Sequence, residues 1–324
     1  MKVDHIVIGS GQAGVPLAAR LAEAGRDVII VESGHLGGSC VNVGCTPTKT
    51  MVASARAAHV AQTAGRLGVT TGNVEVDLAA VVDRKNSIVE QWRSGVRHRL
   101  ERAGDRLKLI EGKARFVGRR EIEVNGQRHS AESVIINVGA SPRIPAIGGL
   151  DSVRWLDSSS IMDVREPPER LVIMGGGYIA CELGQMFRRF GSEVTIMQRG
   201  EHLLAREDEE VSEAIEEAFR AEGIEVVLGA EVIEVAKRKD GIVVKCGGGQ
   251  QTEGSQLLVA VGRVPSTYDL ECAAAGVELD RRATSKWMIA FAPALRVSVP
   301  WATATAVHSL PTIPGTITES STTS

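Results

Sequence analysis

Two cysteines, Cys40 and Cys45, lie five positions apart in the run Gly37-Gly-Ser-Cys40-Val-Asn-Val-Gly-Cys45-Thr-Pro-Thr-Lys49. Thiols so spaced can work as a dithiol–disulfide couple, form half of a metal site, or simply pack as small apolar side chains. In an ideal helix, positions five apart have Cα atoms about 8.7 Å apart, whereas a disulfide needs less than about 7 Å. A bridge therefore requires a distorted helix start, which Asn42 and Gly44 allow. Lys49 lies one turn beyond Cys45, close enough to favour a thiolate. A metal site would have only His35 nearby in support. The other cysteines, Cys181, Cys246 and Cys272, match no redox pattern and read as buried apolar residues.

Two glycine-rich turns offer phosphate sites. Gly9-Ser-Gly11-Gln-Ala-Gly14 follows an apolar run and opens a helix-like segment. In such a turn the first glycine permits the bend, the second admits a pyrophosphate and the third lets helix and strand pack closely. The helix N-terminus then supplies amide donors. Glu32 ends the next strand, where a carboxylate can accept from ribose hydroxyls. Gly175-Gly-Gly177-Tyr-Ile-Ala180 repeats the pattern with alanine third. The strand after it ends at Gln198-Arg199 rather than at an acid. An arginine there can pair with a 2′-phosphate that a carboxylate would repel, so the lean is towards NADP over NAD. The bland alternative is a pair of tight turns with Glu32 and Arg199 solvated.

The elements that must position these groups follow from apolar runs and periodicity. Strand, turn, helix, strand over Val3–Ile8, Val15–Gly25 and Val28–Val31 make one βαβ unit. Helices are expected over Thr50–Ala64 and Leu78–Ala103, with strands at Leu107–Ile110, Glu121–Val124 and Val134–Val138. Ser141–Gly149, with two prolines, reads as an exit loop. A second βαβ unit takes Leu171–Met174, Tyr178–Phe190 and Val194–Met197. Glu207–Glu222 reads as an amphipathic helix with Val211, Ile215, Ala218 and Phe219 on its inner face. Strands at Glu225–Leu228, Val232–Val235, Ile242–Cys246 and Leu257–Val261 complete an α/β architecture in two halves.

The length of 324 residues suits two domains. A net charge of −3 and 3% aromatic content argue against nucleic acid. No run of about 18 apolar residues suggests a membrane span, and the start at Met1-Lys2-Val3 leaves no signal peptide. The expected compartment is the cytoplasm, where a close cysteine pair reads as redox or metal rather than structural.

The Cys-Val-Asn-Val-Gly-Cys-Thr-Pro-Thr-Lys run resembles the redox signature of group I pyridine-nucleotide–disulfide oxidoreductases, the family of mercuric reductase, dihydrolipoamide dehydrogenase and glutathione reductase. The likeness covers residues 1 to about 282 and includes Glu111–Phe116, Ile136–Pro142 and Ala260–Pro265. It looks closest to the mercuric-reductase-like branch. The resemblance implies two Rossmann-like FAD/NAD(P)-binding domains, the second inserted in the first: residues 1–150 for FAD, 151–265 for NAD(P), and 266–282 starting the return. It implies FAD on Gly9, Gly11, Gly14, Glu32, Gly38, Ser39, Lys49, Ala114 and Gly139. It implies NAD(P)H on Gly175, Gly177, Ala180, Arg199 and Gly262. Lys49 would pair with Glu182 beside the flavin, with Cys45 facing the flavin and Cys40 exchanging with the substrate. Electrons would pass from NAD(P)H through FAD to a Cys40–Cys45 disulfide, then to a disulfide, metal-ion or quinone acceptor. An FAD-dependent peroxide or oxygen reductase is disfavoured, because such enzymes rely on a single cysteine.

Residues 283–324 hold three charged side chains, Lys286, Arg296 and Glu319, against roughly ten at average composition. No helix or strand period is visible there, so the stretch is expected to be an aberrant, disordered tail. The family's homodimer-forming C-terminal domain is not matched, so the dimerisation domain is expected to be absent. Read in a shifted frame, codons for Thr284–Trp287 and Pro300–Ala306 permit family-like segments, including Leu-Gly-Asp, so a frameshift is expected. The alternative function is then a catalytically inactive FAD/NAD(P)-binding fragment.

Overall fold

β-branched residues dominate Val3–Ile8 and Val28–Val31, and each run is buried as a strand of one parallel sheet. A computed structural model describes residues 1–280 and the backbone of 297–298. The first half runs β1 (Lys2–Ile8), α1 (Gly14–Glu23), β2 (Val28–Glu32), α2 (Gly38–Asn42), α3 (Cys45–Thr63), α4 (Leu78–Arg102), β3 (Leu107–Glu111), β4 (Ala114–Gly118), β5 (Glu121–Val124), β6 (Gln127–Ile136) and β7 (Ala140–Pro142). Strands β3, β2, β1 and β6 lie side by side in parallel, and β5 and β4 extend the sheet antiparallel.

The second half runs β8 (Trp155–Leu156), β9 (Arg170–Met174), α5 (Tyr178–Arg189), β10 (Glu193–Met197), α6 (Glu209–Ala221), β11 (Glu225–Val227), β12 (Val232–Arg238), β13 (Gly241–Cys246), β14 (Gln251–Gly254), β15 (Gln256–Val259) and β16 (Arg263–Pro265). Strands β11, β10, β9, β15 and β8 form a parallel sheet, and β12, β13 and β14 form an antiparallel layer beside it. This is the α/β class with two dinucleotide-fold halves. The chain leaves the first sheet through β7 and returns through β16, and those two strands pair antiparallel. Leu270, Cys272 and Ala275 then pack back on the first sheet with Phe116 and Val134.

Three expectations need correction. The exit loop at Ser141–Gly149 begins inside β7, because Ser141 and Pro142 pair with Val264 and Arg263, over a hundred residues later. On α6, Val211 and Ala218 are exposed, while Ser212 and Glu216 are buried with Phe219. The inward turn of Glu216 is explained by Leu203, whose amide donates to its carboxylate at 2.9 Å. Within the stretch expected to lack strands, β17 (Val297–Ser298) pairs parallel with Val134 and Ile135. It fills the edge of β6 left open where β5 ends its pairing at Ser130. The rest of the expected aberrant tail lies outside the described residues.

Candidate functional site

The first glycine turn is built around Glu32. Its Oε2 accepts from the Ser10 amide at 2.9 Å and the Ser10 hydroxyl at 2.6 Å, and its Oε1 accepts from the Gly34 amide at 2.8 Å. A carboxylate offers about four acceptor sites, so one remains on Oε1. Gly9 has φ +105°, and a β-carbon there would lie 2.2 Å from the carbonyl oxygen of Asn137. A β-carbon on Gly14 would lie 2.1 Å from the Gly9 carbonyl oxygen. The turn is thus closed to any larger residue at both ends. The thiol-bearing segment roofs it: a β-carbon on Gly38 would come within 2.7 Å of the Gly11 Cα.

The helix start expected to be distorted is a complete break. α2 ends at Asn42 and α3 begins at Cys45, with Gly44 at φ −132° and ψ −118°. A β-carbon on Gly44 would meet the Ser39 carbonyl oxygen at 2.9 Å and the Cys40 Cα at 3.3 Å, so only glycine lets the two segments approach this closely. The break brings the two cysteines close enough to interact. Both are free thiols here, Cys45 exposed and Cys40 partly buried. Burial, then hydrogen bonding and charge interaction with Cys45, push the Cys40 thiol up to about 11. Burial also pushes up the thiols of Cys181, Cys246 and Cys272.

Lys49, one turn into α3, is ion-paired with Glu182 on α5. Its ammonium is thereby directed towards the second half. The second glycine turn repeats the first. Gly175 has φ +109°, with the Ala260 carbonyl oxygen 2.6 Å from where its β-carbon would be. The Gly176 amide donates to Gln198 at 3.0 Å, as Ser10 does to Glu32. Nothing lies within 4 Å of the β-carbon that Gly177 lacks, and the same holds for Gly139 and Gly262 at the two crossovers. Ala180 is fully buried under the turn, and Arg199 is exposed beyond β10. Ala114 starts β4, near the end of β2, where the Gly112 amide donates to the Glu32 carbonyl at 2.7 Å. Ser39 is exposed and accepts from Arg263 at 3.5 Å; Arg263 also donates to the Ala140 carbonyl.

Several site residues escaped the sequence reading. Asn137 covers Gly9 and donates to its carbonyl oxygen at 3.2 Å, and Ser10 is fully buried beneath Glu32. Asn42 donates to the carbonyls of Gly38, Leu36 and His35 and accepts from Arg93. Ser10 and Asn42 sit inside the motifs, so the need to satisfy their side chains was a usable signal. Asn137 sits inside the Ile136–Pro142 run and carried the same signal, whereas Arg93, 51 positions from Asn42, carried none. Among the described residues no group of three His, Cys, Asp or Glu is placed to hold a metal ion. No helix among them is long and apolar enough to cross a membrane.

A family model described as pyridine nucleotide-disulphide oxidoreductase matches residues 3–300. A mercuric reductase of Lysinibacillus sphaericus is 40% identical over 278 residues, covering 85% of this chain and 51% of its own length. A dihydrolipoyl dehydrogenase of Thermus scotoductus is 38% identical over 285 residues, covering 86% of this chain and 61% of its own length. The solved HOCl-induced flavoprotein disulfide reductase RclA from Escherichia coli superposes with a TM-score of 0.78 at 31% identity, over 87% of this chain and 62% of that one. The chain spans about half the length of the mercuric reductase it matches.

Proposed function

Because the chain belongs to the pyridine nucleotide-disulphide oxidoreductase family, we propose that it binds FAD on the first glycine turn and a nicotinamide dinucleotide on the second. In this reading it carries electrons to the Cys40–Cys45 pair. The observation that carries it is the helix break at Gly44, which brings two thiols together one turn before Lys49, itself paired with Glu182 on α5. Both turns fit a dinucleotide. The first keeps a free acceptor site on Glu32 for a ribose hydroxyl, and the second has open space over Gly177. Gly38, Ser39, Ala114 and Gly139 would complete the FAD site, and Ala180, Arg199 and Gly262 the nicotinamide site.

Bound there, the flavin supplies two-electron transfer between the nicotinamide and the disulfide. The chain's own residues do the rest. Glu32 and the turn amides would hold the ribose and phosphates, and Glu182 orients the Lys49 ammonium. Exposed Cys45 takes the flavin side, and Cys40 exchanges with the acceptor. Its high pKa means that the reduced thiol holds its proton until an acceptor or base removes it. The proposed acceptor is a soft metal ion, with a disulfide or quinone next. Paired thiols suit a thiophilic ion, and relatives named mercuric reductase match at 40% identity. The neutral Gln198 and the exposed Arg199 favour NADPH over NADH.

Thiol titration of the FAD-supplemented chain, before and after NADPH, tests this. An oxidised pair gains two titratable thiols on reduction, and Cys40→Ser or Cys45→Ser abolishes the gain. No gain in the unsubstituted chain favours the second reading, a dinucleotide-binding fragment in which the thiols only pack.

A further inference from the structure

The two thiols lie on separate segments, so something outside them must fix how far apart they sit. Helix α4 contacts both. Arg84 on α4 donates to the Thr50 carbonyl of α3 at 2.9 Å. Arg93 on α4 donates through Nε to Asn42 Oδ1 of α2 at 2.5 Å. The helix itself is anchored to the second half: buried Lys85 bonds Asp163 at 2.6 Å, and Arg165 grips both oxygens of Asp83. Arg84 and Arg93 are therefore two grips on one post, one for the segment carrying Cys45 and one for the segment carrying Cys40.

Asn42 is the joint on the Cys40 side. A guanidinium only donates, so Arg93 fixes which end of the amide is oxygen. The amide nitrogen then faces the carbonyls of Gly38, Leu36 and His35 at 2.8, 3.0 and 3.2 Å, tying the loop before α2 to its last residue. Without Arg93 the partly buried Asn42 oxygen loses its donor, and the amide is free to flip and release those carbonyls.

We propose that Arg93 is a positioning residue for the Cys40–Cys45 pair, acting through Asn42 to hold the two sulfurs within bonding reach. This rests on the redox reading of the pair. Arg93 touches neither sulfur; it sets the effective concentration of one thiol at the other, and hence the position of the dithiol–disulfide equilibrium.

The test needs no cofactor. The full chain is equilibrated in buffers of reduced and oxidised glutathione, quenched in acid, alkylated and weighed. Each protein disulfide formed reduces one glutathione disulfide to two glutathione thiols. Arg93→Gln should lower the equilibrium constant for disulfide formation about tenfold, as loss of one charge-assisted bond implies. Arg93→Lys should recover part of it. Arg97→Gln, which removes another, half-exposed arginine of α4 paired with Glu111 of β3, should leave it unchanged. Thermal unfolding of each reduced variant should show it fully folded at the temperature of the exchange, which separates positioning from loss of fold. If the unsubstituted chain forms the disulfide and Arg93→Gln forms it equally well, the role of Arg93 is overturned and the redox reading stands. If the unsubstituted chain forms no Cys40–Cys45 disulfide at any glutathione ratio, the redox reading falls and the inference with it.

Discussion

In the first half the Gly9 amide donates to the Val31 carbonyl at 2.7 Å and the Asn137 amide to the Ile8 carbonyl at 2.7 Å. In the second, the Gly175 amide donates to Met197 at 2.8 Å and the Ala260 amide to Met174 at 2.9 Å. The backbone plan is the same, yet the side chains differ. A carboxylate with three donors closes the first turn. In the second, a neutral amide accepts from Gly176 and donates to the His202 carbonyl. The first turn lies under the thiol-bearing segment, with Gly38 against Gly11, whereas Gly177 faces open space. Backbone bonds thus fix what a dinucleotide turn must be, and side chains decide how tightly each is built into its surroundings. The first is locked into the thiol-bearing segment, and Gly177 of the second is left accessible.

The largest test of that contrast compares alanine at the third small residue of the first motif with alanine at the second small residue of the other, whose third is already Ala180. Gly14→Ala drives a β-carbon into the Gly9 carbonyl oxygen and Asn137, and overpacking of this kind should cost about 3 kcal/mol. Gly177→Ala enters open space at the start of α5 and should cost no more than about 1 kcal/mol. Urea unfolding of both variants measures the difference; equal costs would mean that the two turns are equally locked.

Exchanging the strand-end side chains comes next. Glu32→Gln puts an NH2 group where three donors already converge and removes the charge, so it should destabilise by about 2 kcal/mol. Gln198→Glu keeps the acceptor for Gly176 but loses the long bond to the His202 carbonyl, and should cost about 1 kcal/mol. On the proposed nicotinamide site it should also weaken NADPH more than NADH. Calorimetric titration with each cofactor shows whether Gln198 is where the two are told apart; an equal loss for both would move that discrimination elsewhere.

What the sequence made legible follows the range of each contact. The glycine turns, Glu32 and the thiol pair are local patterns, readable from spacing. The pairing of Lys49 with Glu182 spans 133 positions and was reached only through the family likeness. β7 was missed because a proline-containing triplet becomes a strand only when its partner, over a hundred residues away, is in place. The inner face of α6 was misread because hydrophobicity chose Val211, while a backbone amide at Leu203 drew Glu216 inward. The link from Arg93 to Asn42 crosses 51 positions with no pattern to announce it. Motifs report what a site contains; the residues that hold it in shape are spread by topology.

The smallest expected effect sets the two halves apart by their response to acid. His129 is buried on β6 with no hydrogen-bond partner for either ring nitrogen. Burial, then the N-terminal ammonium and Lys108, hold its pKa below the ordinary value of 6.5. His5, bonded to Ser133 in the same sheet, is likewise lowered, first by burial. A histidine held neutral stabilises the fold above pH 6.5, and that contribution is lost as the pH falls below 6.5 and through the folded value. In the second half, burial alone would raise the pKa of Glu222, but hydrogen bonds and charge from Arg189 outweigh it and hold it below 4.5. Its contribution therefore survives until the pH drops below 4.5. Acidification should loosen the first sheet before the second, visible as earlier amide exchange in β1 and β6 than in β9 and β10. His129→Leu should delay that loosening, because an apolar side chain of similar size carries no proton to take up. If the first sheet exchanges no sooner than the second between pH 6.5 and 4.5, the buried imidazole does not distinguish them.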